Sequence, residues 1–250
     1  MEAFGRGLLR FCLASGISIM GSSAGIITTF SGLDNGAVPG GPRPSSDAAH
    51  TAFLGGLSSP PTITFEGLPT GLFVNLVVAP GVTASLINNG TDGGGIQNTN
   101  QHTPTPLGFN TTVGGTEWLQ VWPAFNDPAG ETVTFTFASP INAFGAYLTD
   151  TQSTFPGPIT LTFNDGVAQT LSVTKNDDTG GVLFFGFHDT TAFTSLSYHT
   201  GATGDTRDVW GIDDVTYAAA AVPEPGTIGL LLCGVSLMVG VARRSPWFRG

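Results

Sequence analysis

From Pro61 to Tyr217 apolar and polar residues alternate in short runs, and turn-forming residues separate one run from the next. The segment PTITFEGL sets Ile63 and Phe65 against Thr62, Thr64 and Glu66, the period of two that gives a strand one buried face. Further alternating or β-branched runs cover residues 73–78, 83–87, 116–121, 132–137, 143–148, 159–163, 169–173, 182–187, 195–198 and 212–217. That predicts about eleven strands. Asn164-Asp165-Gly166 between ITLTF and AQTLSV is a strong hairpin signal. Asn126-Asp127-Pro128 and Asn176-Asp177-Asp178 mark two more turns. No stretch shows helical periodicity over a dozen residues before the C-terminal tail. Short strands at this spacing predict an all-β fold, an antiparallel β-sandwich of jelly-roll type.

Composition agrees. Charged residues make up 10% of the 250, Gly and Pro number 36 and 17, and Lys175 is the one lysine, so helices laced with ion pairs are not expected. Phe65, Phe135, Phe137, Phe144, Phe163, Phe185 and Phe187 are the expected core. Between residues 25 and 222 three basic residues (Arg43, Lys175, Arg207) face sixteen acidic ones, a net charge of −13. Such a surface repels phosphate backbones, so nucleic acid is not an expected partner. Cys12 and Cys233 both lie in apolar end segments, which leaves the middle of the chain without cysteine.

The two ends read as addresses. Arg6 and Arg10 precede a mainly apolar run from Phe11 to Met20, and Ser22-Ser23-Ala24 follows. This is the layout of a secretory leader over residues 1–24, with cleavage by signal peptidase expected after Ala24. Residues 25–60, rich in Gly, Pro, Ser and Ala, are expected to be a flexible lead-in with at most a short strand at 25–30. The sandwich is then expected over 61–218 and a tail over 219–250. Within that tail residues 227–242 carry no charge. As a helix they would span about 24 Å at ~1.5 Å per residue, slightly less than the ~30 Å hydrocarbon layer. A transmembrane helix is expected there, and Arg243 and Arg244 would hold its end in the cytoplasm while the acidic bulk lies outside.

Val222-Pro223-Glu224-Pro225, the apolar segment and Arg243-Arg244, in that order, resemble the PEP-CTERM sorting signal of Gram-negative bacteria. The resemblance implies a partner, the membrane-embedded exosortase, a Cys-dependent transpeptidase-like enzyme that recognises Pro223, Glu224 and Pro225. It also implies passage through the inner membrane to the cell envelope, cell surface or extracellular matrix. Two prolines around Glu224 keep this segment extended and open to a protease. Upstream, TITFEGLP, FTFASPINAFGAYLTD, ITLTFNDG, FFGFHD and WGIDDVTY look like the lectin-like β-sandwich domains that precede such tails. That likeness implies glycan binding and a structural Ca²⁺ ion. If the first and last strands lie side by side, Glu66 meets Asp213 and Asp214, which resembles the calcium site of those domains.

The remaining candidates follow from chemistry. Trp118, Trp122 and Trp210 are available to stack on sugar rings, although large aromatics bury area first and at least one of them is expected in the core. The polar stretch 88–106 is expected to be a mobile loop that could line a binding face. Across residues 26–222, which hold His50, His102, His188 and His199, neither a G-x-S-x-G elbow nor an H-E-x-x-H zinc motif occurs. The expectation is a non-enzymatic protein that binds polysaccharide. A secreted glycoside hydrolase built on two carboxylates and a purely structural matrix component are the alternatives.

Overall fold

The computed structural model describes residues 25–87, 94–123, 131–201 and 207–219. Among them are β1 (Ile27–Asn35), α1 (Pro44–Leu54), β2 (Thr62–Ile63), β3 (Asn75–Ala79), β4 (Val82–Ile87), β5 (Gly95–Gln97), β6 (Trp118–Val121), β7 (Glu131–Thr149), β8 (Ile159–Asn164), β9 (Ala168–Val173), β10 (Gly181–Thr200) and β11 (Trp210–Ala219). The strands form one antiparallel sheet, in agreement with the all-β expectation.

Two long strands organise that sheet. The second half of β7 pairs with the first half of β10, through Thr149↔Val182 to Ala143↔His188. After register shifts around Phe193, the other halves pair from Thr136↔Ser195 to Glu131↔Thr200. Each half then recruits its own neighbours. Beside the first pairing lie β1 on β10 and β11 on β7, followed by β6 and β5. Beside the second lie β8 with its hairpin partner β9, and β4 on β7 with β3. The irregularities between the halves turn each long strand from one layer to the other, as bulges do at sheet corners.

The layers face each other over one core. Phe135 packs on Phe144 at 5.7 Å between ring centroids, Phe163 stacks on Phe187 at 4.6 Å and Tyr198 meets Trp210 edge-on at 5.9 Å. Alternation in sequence becomes alternation in burial: every second residue of β4 and of β8, from Val82 and from Ile159, is buried. The hairpin at Asn164-Asp165-Gly166 forms as expected, with Asn164 Oδ1 accepting the Gly166 N–H at 2.8 Å.

Residues 25–60 depart from their expectation. They are not a lead-in outside the core: β1 joins the sheet and α1 covers the outer face of β7 and β10, where Phe53 is fully buried with Phe109, Tyr147 and Phe184. Burying a phenylalanine of this kind contributes about 1.5–3 kcal/mol. Gly145 and Gly186, paired in the sheet, leave the space Phe53 needs, since a Cβ on Gly186 would lie 3.0 Å from its ring. Pro44 opens the helix. Asp34 supplies the cap from outside the helix, accepting the N–H groups of Ser45 and Ser46 at 3.1 and 2.7 Å. At the other end His188 Nε2 lies 2.9 Å from the Phe53 carbonyl.

Two further expectations are corrected. The runs 132–137 and 143–148 are one strand, as are 182–187 and 195–198. The run from Pro61 gives only the two-residue β2, because the chain turns at Phe65 with φ of 60°. Among the described residues no helix is long and apolar enough to cross a membrane. The expected leader with its cut after Ala24, the motif Pro223, Glu224, Pro225, the helix 227–242 and Arg243-Arg244 lie outside the described residues.

Candidate functional site

A cleft of about 490 Å³ opens between the β1–α1 connection and the segment that leads into β6. Its walls are Val38 to Gly41, Arg43 and Asp47 on one side and Asn100 and residues 109–115 on the other, with Val182 between them. Polar groups are plentiful, and Asp47 is the one carboxylate among the described lining residues.

The Arg43 wall is held by a chain of contacts. Arg43 Nε donates to Asp47 Oδ1 at 3.0 Å, and its guanidinium lies 4.3 Å from the Tyr147 ring centroid. The Tyr147 hydroxyl donates to the same Asp47 oxygen at 2.8 Å and sits 3.1 Å from His50 Nδ1. Burial pushes the phenol pKa up and that of His50 down, which favours a neutral imidazole at pH 7. A neutral phenol and imidazole thus back the arginine–aspartate pair that lines the cleft.

The opposite wall is a loop gripped by acids from distant strands. Asp213 Oδ2 accepts the N–H groups of Thr111 and Thr112 at 2.6 and 3.1 Å. Asp214 accepts both threonine hydroxyls, at 2.8 and 2.7 Å. Glu66 Oε1 accepts the N–H groups of Thr116 and Glu117 at 2.8 and 2.9 Å and the Asn110 amide at 3.0 Å. Glu117 reaches back to the N–H of Gly67. Asn110 Nδ2 also donates to the Glu117 carbonyl at 2.7 Å, and Gly108 donates to Asp150 Oδ2 at 3.0 Å. Asp213 is fully buried, and burial followed by the neighbouring Asp214 raises its pKa.

The side-by-side placement of the first and last strands of the expected sandwich is observed: β2 pairs with β11 through Ile63↔Val215 and Thr62↔Thr216. Glu66, Asp213 and Asp214 consequently reach the same loop. They do so as hydrogen-bond acceptors, and among the described residues no three His, Cys, Asp or Glu side chains converge on one point. The oxygens that a calcium ion would need are largely met by N–H and O–H donors in this arrangement.

The tryptophans are not a stacking platform. Trp118 and Trp210 are fully buried, with Nε1 donating to the Thr99 carbonyl at 3.3 Å and to Thr200 Oγ1 at 3.0 Å. Trp118 has no room to turn outward, since Gly108 and Gly211 lie so close that a Cβ on either would run into its ring. Trp122 is half-buried under the Arg207 guanidinium, 5.4 Å from the ring centroid. None of the three lines the cleft.

Arg43, Asp47 and the 109–115 wall were not singled out by sequence. Pro44 and Asp47 in a first helical turn were the available signal for α1, and the TTVGG turn was the available signal for the loop. Of the stretch 88–106, Asn100 lines the cleft, and residues 88–93 lie outside the described residues.

No family model matches the chain, and no curated protein matches it either. Among solved structures it is similar to the K2 cleaved adhesin domain of Lys-gingipain, with 13% sequence identity and a TM-score of 0.44, over 65% of this chain and 99% of that one.

Proposed function

We propose that this chain is an exported, non-enzymatic binding protein of the Gram-negative cell envelope or matrix, and that its cleft takes a polyhydroxylated ligand, a stretch of polysaccharide. The observation that carries this is the cleft itself. Arg43, Asp47, Asn110 and the two threonines offer donors and acceptors around a volume that suits one or two sugar residues, and Phe109 adds an apolar patch. The acid-held wall keeps these groups in place before a ligand arrives, which lowers the entropy cost of binding.

The test is retention of the protein on immobilised polysaccharides alongside an assay for reducing ends. Arg43→Ala should weaken retention at least about tenfold, the equivalent of ~1.4 kcal/mol, without release of reducing ends. Reducing ends that depend on Asp47 would favour the hydrolase. No retention at all would favour a structural matrix component. Against the hydrolase stands the single carboxylate among the described lining residues, since two are needed.

Sorting is proposed from the tail, with signal peptidase and exosortase as partners. Replacing Pro223, Glu224 and Pro225 by alanine should leave unprocessed protein in the inner membrane, and normal release would refute the motif. Calcium at Glu66, Asp213 and Asp214 is a separate proposal. The pairing of β2 with β11 supports it, and the donors already on those carboxylates oppose it.

A further inference from the structure

We propose that the domain carries a receptor for its own processed N-terminus: the carboxyl groups of Asp165 and Asp189 take the α-ammonium of Gly25 once the leader ahead of it has been cut away. The inference rests on the export reading above, which supplies a cut after Ala24.

Two acids from different parts of the chain converge on Gly25. Its nitrogen lies 2.7 Å from Asp165 Oδ2, at the tip of the β8–β9 hairpin and 140 residues away in sequence. Asp189 comes from the middle of β10, where it pairs with Ile27. A side chain on residue 25 would run into Asp189 Oδ1 and lie 3.0 Å from Asp165 Oδ2, so any larger residue would have to displace the two carboxylates. Both aspartates are 4% exposed. Asp189 Oδ1 accepts the Thr191 N–H at 2.9 Å, while its Oδ2 is buried without a hydrogen-bond partner.

The neighbouring backbone fixes this nitrogen. Ile26 N donates to Thr190 Oγ1 at 2.8 Å, and Thr190 N donates to the Ile26 carbonyl at 3.2 Å. A peptide N–H offers the two acids one proton and no charge. Asp165 is also met by the Val167 N–H at 3.1 Å and by Gln169 Nε2 at 3.3 Å, so the orphaned Asp189 Oδ2 is the buried oxygen that calls for a cation. The basic side chains of the domain are engaged elsewhere: Arg43 at Asp47, Lys175 at Asp208 and Arg207 at the Pro123 carbonyl and Trp122.

Hydrolysis supplies the missing charge. Water adds to the Ala24 carbonyl and the C–N bond to Gly25 breaks. The amine leaves with a proton and takes up another at neutral pH, giving three N–H donors and one positive charge where one N–H stood before. Asp165 and Asp189 are the titratable groups that face this nitrogen among the described residues, and His188, next in β10, is turned to Phe53. The Gly25 N–H already holds the Asp165 pKa down, whereas burial, with Asp165 adding to it, pushes that of Asp189 up. An ammonium between them removes that conflict.

The experiment expresses the complete chain in a Gram-negative host, recovers the processed protein and reads its first residue by intact mass. The pKa of the α-amine is then measured from the pH dependence of its acylation, in the folded protein and in the same protein unfolded in urea. Peptide mapping separates this amine from Lys175. The expected results are a chain that begins at Gly25 and a folded-state pKa at least about one unit above the unfolded value of ~8, so acylation at pH 8 slows several-fold. Burial without the carboxylates would shift the pKa downward instead. Asp165→Asn with Asp189→Asn should abolish the upward shift, and the folded-versus-unfolded comparison decides the question without any variant. A mature chain that begins at another residue overturns the proposal, as does a folded pKa at or below the unfolded one. An uncut chain overturns the export reading with it, whereas a Gly25 start with an unraised amine overturns the capture alone.

Discussion

The core between the layers and the polar loops at their edges are held by different forces. In the core Phe187 is fully buried and stacks on Phe163 and Phe193 at 4.6 and 5.5 Å, and cohesion there is dispersion and excluded water. At the edges, carboxylates of one segment accept backbone N–H groups of another. Asp34 holds the start of α1, Asp150 holds Gly108 and Gly181, Asp208 holds Gln152 and Asp213 holds Thr111 and Thr112. The acid excess that reads in the sequence as a supply of metal ligands works here as a set of loop clamps. A core contact tolerates a neighbour of similar size, whereas a clamp needs an acceptor at one position.

The largest effect should come from the core. Phe187→Ala should cost about 3–5 kcal/mol, read as a lower denaturation midpoint with an unchanged urea slope. A smaller loss would mean that the layers close over the cavity.

Next comes the clamp. Asp213→Ala strands the N–H groups of Thr111 and Thr112, at about 1–3 kcal/mol for each buried donor. Asp213→Asn keeps an acceptor in place of a carboxyl that burial and Asp214 already push toward its protonated form, so it should cost less than the alanine variant at pH 7. Equal losses would show that the negative charge itself matters, and a thermal midpoint raised by Ca²⁺ would then assign the site to the ion.

Acidity should move the clamps and leave the core alone. Burial pushes the Asp208 pKa up to about 6 against the pull of Lys175 at 2.9 Å. Burial likewise raises Asp150, although His102 opposes it. A carboxyl with a raised folded-state pKa keeps its proton while the unfolded chain has lost it from pH ~4 upward. The folded state therefore binds more protons between pH ~4 and about 6, and stability falls as pH rises through that window. The lowered carboxyls of Asp34 and Asp177 act below the window. The thermal midpoint should be higher at pH 5 than at pH 7, and the opposite slope would mean that Lys175 outweighs burial.

The smallest effect on stability should come from the cleft. Arg43 and Asp47 form an i,i+4 pair at the surface, so Arg43→Ala should shift stability by less than about 1 kcal/mol. The same change should weaken ligand retention strongly, and a large stability loss would make Arg43 a structural residue.

Much of the fold was legible because alternation is a local property. The β8–β9 hairpin could be read from ITLTFNDG and its partner run, since turn and period lie within fifteen residues of each other. The long strands were read as four, because Ser139-Pro140 and Asp189-Thr190 look like chain breaks in sequence and act as corners in the sheet. Helix α1 is not legible in sequence because PSSDAAHTAFL carries little apolar contrast around its axis, and what makes it a helix is the pocket for Phe53 and the cap from Asp34. The candidate site was half legible. Pairing of the end strands was legible, and it carries Glu66 and Asp213 to one loop as hydrogen-bond acceptors, whereas the burial of Trp118 and Trp210 could not be told from their spacing.

The period of two in the strands, the turn of the β8–β9 hairpin and the excess of acid were settled by the sequence alone, because each depends on residues within a few positions of one another. The partner of each acid was decided only by the tertiary structure. Asp213 meets Thr111 from 102 residues away and Asp165 meets Gly25 from 140. An acceptor is matched to its donor by the folding of the sheet that carries them together, and the local pattern holds no record of that match.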